Sequence, residues 1–252
     1  MFAEERQMEI SSILEKNGSI KVNELSNHFN VSEATVRRDL QEMDSKKLLT
    51  RTHGGAVKAE ITNFEPSFMD KRDEKREEKF AIASVAAGIV KNGDTIILDS
   101  GTTTLEIARN ITAENITVIT NSIDIAVELS NRSGVELILT GGTLRINTRA
   151  MVGYICEAML KNFRVDKAFI GANGISLTDG ITTPNLVEAR VKKAMINSAS
   201  KPIIVADSSK FEKVCFSVIC PTTDVYSVIT SGDISQELID GYNNQGVKIE
   251  IC

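Results

Sequence analysis

The chain has 252 residues, 42% of them hydrophobic and 25% charged, which excludes intrinsic disorder and leaves length for two domains. A formal net charge of -5 argues against a uniformly basic nucleic-acid binder. No apolar run approaches the roughly 20 residues that span a bilayer and no basic leader precedes an apolar core, so a cytoplasmic chain without a membrane partner is expected.

Charge is segregated at the start. Glu4, Glu5, Glu9 and Glu15 lie in a first helix over about 4–16, which buries Ile10, Ile13 and Leu14 and stops at Asn17-Gly18. Arg37, Arg38, Lys46, Lys47, Arg51 and Lys58 follow, so one face of this region is basic inside an acidic protein. Ile20 to Val22 reads as a short edge strand. Val22, Leu25 and Phe29 then repeat at helical spacing, and Asn30-Val31-Ser32 is brief enough only for a tight turn.

The next helix is capped by Ser32 and carries Val36, Leu40 and Met43 on its apolar face. At about 100° per residue the opposite face holds Ala34, Arg38 and Gln41, with Thr35 and Arg37 on its flanks. Small and cationic groups of this kind fit a DNA groove, although the same face alone would serve as an ordinary solvated surface. Two short strands around Gly54-Gly55 then form a wing that places Arg51 and His53 beside the nucleic acid. Helix, turn, helix and wing together favour a double-stranded DNA operator as partner. The run ERQMEISSILEKNGSIKVNELSNHFNVSEATVRRDL with RTHGGAV resembles the winged helix-turn-helix of the DeoR family of bacterial transcription regulators.

Residues 1–58 are therefore expected to be a DNA-binding domain and 59–79 a linker. Its charged run DKRDEKREEK reads as a solvated helix stitched by i,i+4 pairs. From 80 to 252, β-branched apolar runs at 95–98, 116–119, 135–139, 167–170, 202–205 and 225–229 alternate with helical segments, which predicts an α/β domain with a buried, mostly parallel sheet.

Ligands of open α/β sheets gather at the carboxyl ends of the strands. There the chain places Asp99, Ser100, Gly101, Thr102, Thr103 and Thr104 before a helix, where free N–H groups and the helix dipole suit a phosphate; capping by Ser and Thr is the plainer alternative. Asn121, Gly141, Asn173 and Lys210 end further strands on the same rim, a set that fits a small polyhydroxylated anion. Glu188 either reaches this rim or pairs with Lys192 at i,i+4 on a helix surface. No G-x-G-x-x-G follows the first strand, and Cys156, Cys215, Cys220 and Cys252 show no metal or disulfide spacing, so neither cofactor nor metal is expected.

IILDSGTTT, VITN, LTGG, DKAFIGANGI and VADSSKF stand in the order of the DeoR-family effector domain, which is in turn similar to sugar-phosphate isomerases of the ribose-5-phosphate type. The resemblance implies a phosphate on Ser100 to Thr104, a sugar near Asn121, Gly141, Asn173 and Lys210, and a repressor acting as a homodimer or homotetramer. Fructose 1-phosphate is the first candidate effector, with tagatose and other hexose phosphates behind it. The competing reading is an isomerase-like enzyme with a DNA-binding appendage. The segment that is acidic in the isomerases holds Asn173 here, and an amide cannot act as a general base, so no catalytic residue is assigned.

Overall fold

Burial follows the helical period through the N-terminal region. The computed structural model describes residues 2–46, 48–52, 54–57, 67–232 and 234–252, which divide into units over 1–64 and 65–252. In the first unit α1 (Ala3–Asn17), β1 (Ser19–Lys21), α2 (Val22–Phe29) and α3 (Glu33–Ser45) bury Ile10, Leu14, Ile20, Leu25, Val36, Leu40 and Met43 in one core. Asn30 takes the left-handed conformation (φ 51°) that reverses the chain between α2 and α3, and the Ser32 hydroxyl accepts from Thr35 N at 3.2 Å to cap α3.

The wing is the hairpin of β2 (Thr50–Thr52) and β3 (Gly55–Val57), and β1 pairs with β3 as the edge strand of this small sheet. Glycine is obligatory at 55, because a Cβ there would stand 2.0 Å from the Ile20 carbonyl oxygen. One polar residue shares the inner side of α3. Asp39, 4% exposed, accepts from Arg6 at 2.8 and 3.2 Å and so ties α1 to α3.

The second unit opens with α4 (Phe68–Asp73) and α5 (Arg76–Gly88), followed by β4 (Thr95–Leu98), α6 (Thr102–Asn110), β5 (Ile116–Thr120), α7 (Ile123–Leu129) and β6 (Val135–Leu139). A hairpin of β7 (Thr143–Arg145) and β8 (Ala150–Val152) precedes α8 (Tyr154–Leu160) and β9 (Val165–Gly171). Then come β10 (Gly174–Ser176), β11 (Gly180–Thr183), α9 (Leu186–Ser198), β12 (Ala199–Val205), β13 (Ser217–Cys220), β14 (Ser227–Thr230), α10 (Gln236–Asn244) and β15 (Lys248–Ile251).

Seven strands form a sheet in the order β15-β14-β12-β9-β4-β5-β6, every neighbouring pair parallel. Ile96 and Leu98 point into one core and Ile97 into the other, which is why the runs read as apolar on both faces. All six expected runs contribute strands, the last shifted to 227–230. The β7–β8 hairpin, the antiparallel β10-β11-β13 sheet and the edge strand β15 go beyond the sequence reading.

The linker expected over 59–79 needs correction. Residues 58–66 lie outside the described residues, but from Phe68 onward the chain is helical and belongs to the second unit. Phe68 and Ile82 sit in a sheet-facing core with Leu105, and Lys79 is only 6% exposed. The charge run hid this. Its lysine stems and one aromatic residue supply the buried surface, so no apolar period announces it.

Asp94 and Lys167 form an ion pair of 2.6 Å at the amino end of the sheet. Burial alone would raise the Asp94 carboxyl, but hydrogen bonds from the Lys167 ammonium and Lys91 N outweigh it and hold the group below the usual carboxylate range. A depressed folded-state value stabilises the fold above the unfolded carboxylate value and is lost as pH falls through the folded one. Lys167→Met is therefore expected to lower stability by about 1–3 kcal/mol at pH 7, with the deficit shrinking as pH approaches 3. Urea midpoints at the two pH values check this, and an equal deficit at both would remove the pair from the account.

Candidate DNA interface and effector cavity

The outer face of α3 has the expected composition. Ala34, Arg37, Arg38 and Gln41 are exposed and Thr35 is half-buried. Ser32 is engaged as the cap, and Arg37 pairs with Glu33 at 3.0 Å. Arg38 makes no hydrogen bond or ion pair among the described residues, so its five donors are uncommitted. Arg51 lies exposed on the wing and its N–H donates to Asp44, joining wing to α3, whereas His53 lies outside the described residues.

If Arg38 reads a base, Arg38→Ala is expected to weaken binding to duplexes selected from a random library by about 1 kcal/mol or more beyond its loss on random DNA. Fluorescence anisotropy with both DNAs is the check. A uniform loss would make Arg38 a phosphate contact.

The second unit holds a cavity at the carboxyl ends of β4, β9 and β12, with about 790 Å³ of empty space, part of it open to solvent. One wall is Ser100 to Thr104. β4 delivers this segment and α6 begins inside it, with Gly101 as N-cap and no side chain capping the helix, so the α6 N–H groups face the cavity without a side-chain acceptor. Thr104 is fully buried and donates to Gly101 O at 3.0 Å, which commits its hydroxyl to the loop.

The opposite side is built from Asn173 after β9, Glu188 on α9, and Asp207 and Lys210 after β12. Asn173 accepts from the Thr183 hydroxyl at 3.0 Å, and the Lys210 ammonium stands 3.8 Å from Asp207. Glu188 is 5% exposed and is no surface carboxylate: Arg145 pairs with it and Thr148 donates to it at 2.5 Å. Asn185 caps α9 by accepting from Val187 N and Glu188 N, which fixes the start of the helix that carries Glu188.

The suggested Glu188–Lys192 pair is thus replaced. Lys192 turns to Asp99 and to Gly171 O, both at the floor. Burial pushes the Asp99 carboxyl up, the Lys192 ammonium opposes that rise, and the charge of Glu188 adds to it.

Three of the expected rim residues do not line the cavity. Asp99 is buried beneath it. Asn121 is 2% exposed; it accepts from Ser100 N at 2.9 Å and donates to Met151 O, so it braces the loop after β4 from behind. Gly141 takes φ 69° beside Ile155, on the turn leading to β7. Polar strand ends look alike in sequence whether they face a ligand or brace a loop.

Residues the sequence reading left out complete the cavity. Lys71, Glu74, Lys75 and Lys79 come from the charge run, Thr148 from the β7–β8 connection and Lys192 from α9. The lining carries Lys71, Lys75, Lys79, Lys192 and Lys210 against Glu74, Glu188 and Asp207, five cations to three carboxylates, which leaves an excess of two positive charges. An anion is the ligand such a balance favours.

All four thiols are free, and burial pushes Cys220 up to about 12, so this sulfur is inert. Among the described residues no group of His, Cys, Asp or Glu is placed to hold a metal ion, and no helix is long and apolar enough to cross a membrane.

Two family models match the chain, the DeoR-like helix-turn-helix domain over residues 6–62 and the DeoR C-terminal sensor domain over 74–232. The uncharacterized HTH-type transcriptional regulator YulB of Bacillus subtilis is 37% identical over 99% of this chain and 96% of its own length. The putative aga operon transcriptional repressor of Escherichia coli O157:H7 is 35% identical over 97% of this chain and 92% of its own. Among solved structures, ribose 5-phosphate isomerase A of Methanocaldococcus jannaschii aligns with 53% of each chain at 19% identity and a TM-score of 0.38, a level at which nothing is transferred from it.

Proposed function

Because the chain belongs to the DeoR family of transcriptional regulators and is no enzyme, we propose that it represses a sugar-utilisation operon and that a sugar phosphate in the cavity of the second unit changes its affinity for operator DNA. The observation that carries this reading is the α6 N-terminus, free of side-chain caps, opening into a cavity with surplus positive charge. A phosphate would sit on the N–H groups and hydroxyls of Ser100 to Thr103, with Lys210 as its cationic partner. Asn173 and Glu188 offer an amide and a carboxylate to sugar hydroxyls. The name of the aga operon relative supports a carbohydrate-linked role.

Fructose 1-phosphate remains the first candidate, ahead of other hexose phosphates. On the DNA side Ala34, Thr35, Arg37, Arg38, Gln41 and Arg51 meet the groove, and a homodimer or homotetramer would present two such surfaces to a two-part operator.

A thermal-shift screen of sugar phosphates tests the assignment. A true effector at about 100 times its dissociation constant is expected to stabilise the folded chain by roughly 2.7 kcal/mol, and neutral sugars are not. Equal shifts from sugars with and without phosphate would remove the phosphate from the proposal.

A further inference from the structure

Six large apolar side chains stand exposed around one feature of the second unit, the β7–β8 hairpin. Leu144 lies on β7 and Ile146 just after it, Tyr154 and Ile155 open α8, and Leu186 and Val187 open α9. Ile146 is 85% exposed, Tyr154 82% and Ile155 65%. A surface helix normally turns polar residues outward, yet both helices begin with two consecutive apolar residues facing solvent, while Cys156, Leu160 and Ala189 already supply their buried faces.

The topology brings these residues together. α8 leads into β9 and α9 into β12, which are parallel neighbours in the sheet, so the two helices run side by side in the same direction. Ser198 Oγ donates to Leu160 O at 2.8 Å and joins their carboxyl ends. Their amino ends meet the hairpin: β8 runs directly into α8 and packs against α9, and Arg145 and Thr148 of the hairpin turn both hold Glu188 in the first turn of α9. The charges of the hairpin are committed within the chain, Arg145 to Glu188 and Arg149 to Asp124 at 2.7 Å.

Together the six side chains expose on the order of 700 Å². That exceeds the roughly 300–600 Å² of the largest apolar patch on a typical monomer and approaches the roughly 800 Å² that each partner gives to a standard interface.

We propose that this patch is the interface with a second copy of the chain, related to the first by a two-fold axis. This rests on the reading of the protein as a homodimer or homotetramer, and it adds the surface through which the copies meet. In a two-fold contact the same patch faces its own image, so any unpaired charge near the axis would meet a like charge. An apolar patch whose hairpin charges are already paired avoids that conflict. A nucleic acid or a charged protein would instead call for surplus charge, which the hairpin does not offer. The interface adjoins the effector cavity, because the β7–β8 connection also supplies Thr148 to the cavity lining.

Sedimentation velocity of the full chain tests the surface. The wild type is expected to sediment as a dimer or larger at micromolar concentration. Ile146→Glu and Tyr154→Glu each set a carboxylate against an apolar partner and its own image, and each is expected to raise the dissociation constant at least a hundredfold. Val127→Glu is the control: Val127 is 70% exposed on α7, whose Ile125 and Leu129 pack in the core on the other face of the sheet, and this variant is expected to associate like the wild type. Far-UV circular dichroism checks the fold. If either glutamate disturbs it, Ile146→Ser, which removes only the apolar side chain, is read in its place.

Wild-type association in both Ile146→Glu and Tyr154→Glu would overturn this surface and leave the oligomer standing. Loss of association in Val127→Glu alone would move the interface to the other face of the sheet. A wild type that remains monomeric would take away the oligomer itself, and this interface with it.

Discussion

Residues 1–58 alone are expected to bind operator DNA at least a hundredfold more weakly than the full chain. The first unit has its own core of Ile10, Leu14, Leu25, Val36, Leu40 and Met43, and Arg6–Asp39 joins its outer helices, so the isolated segment keeps its fold. What it loses is the second copy. If the second unit brings two chains together, the second recognition helix docks at an effective concentration set by the tether, and linking of this kind raises affinity by about 10²–10⁴ without any new contact. Anisotropy titrations of both proteins against duplexes selected by the full chain give the comparison, and sedimentation supplies the stoichiometry. Equal affinities would mean that the second unit contributes no partner, and the two-site operator would fall.

Lys210→Ala is expected to lower effector affinity by about ten- to a hundredfold while leaving operator affinity unchanged. The ammonium lies in the lining of the same cavity as Ser100 to Thr104, and its contact with Asp207 at 3.8 Å, the one ion pair it makes among the described residues, is too long to be a strong hydrogen bond, so it is available to a phosphate. A hydrogen bond between charged groups contributes about 1.5–3 kcal/mol, which sets the expected loss. The residue is on a short 3-10 turn in the second unit and no core cluster includes it, so the fold is not at risk. Calorimetry with the best sugar phosphate from the thermal screen measures the loss, and Thr103→Val provides an independent cut at the facing wall. Unchanged affinity in both variants would move the phosphate elsewhere.

Much of this architecture was legible because it rests on short-range periodicity. Val36, Leu40 and Met43 mark the inner face of α3 by spacing alone, and Ile96, Ile97 and Leu98 announce a strand buried on both faces. The loop after β4 offered a candidate anion site because a glycine among hydroxyls stands at a helix start, a pattern that capping by Ser and Thr shares; in the structure no side chain caps this helix. Glu188 was ambiguous because its partners Arg145 and Thr148 lie 43 and 40 residues away, and no local pattern distinguishes that pair from Lys192 four residues on. Asn121 read as a ligand residue because chain position does not reveal that its side chain is turned inward to Ser100. The α4 wall was hidden most completely: five of the residues lining the cavity come from a stretch whose composition spells a solvated tether.

The central claim is that a sugar phosphate in this cavity governs release from DNA, and an effector titration of the preformed operator complex tests it most directly. Allosteric effectors shift affinity at a second site by about 1–3 kcal/mol, so the wild type is expected to leave its selected duplex as the sugar phosphate rises through its dissociation constant. Lys210→Ala and Thr103→Val are expected to stay bound at those concentrations and to behave as super-repressors. Release of both variants at the wild-type midpoint, or a wild-type complex indifferent to every sugar phosphate that stabilises the free chain, would contradict it.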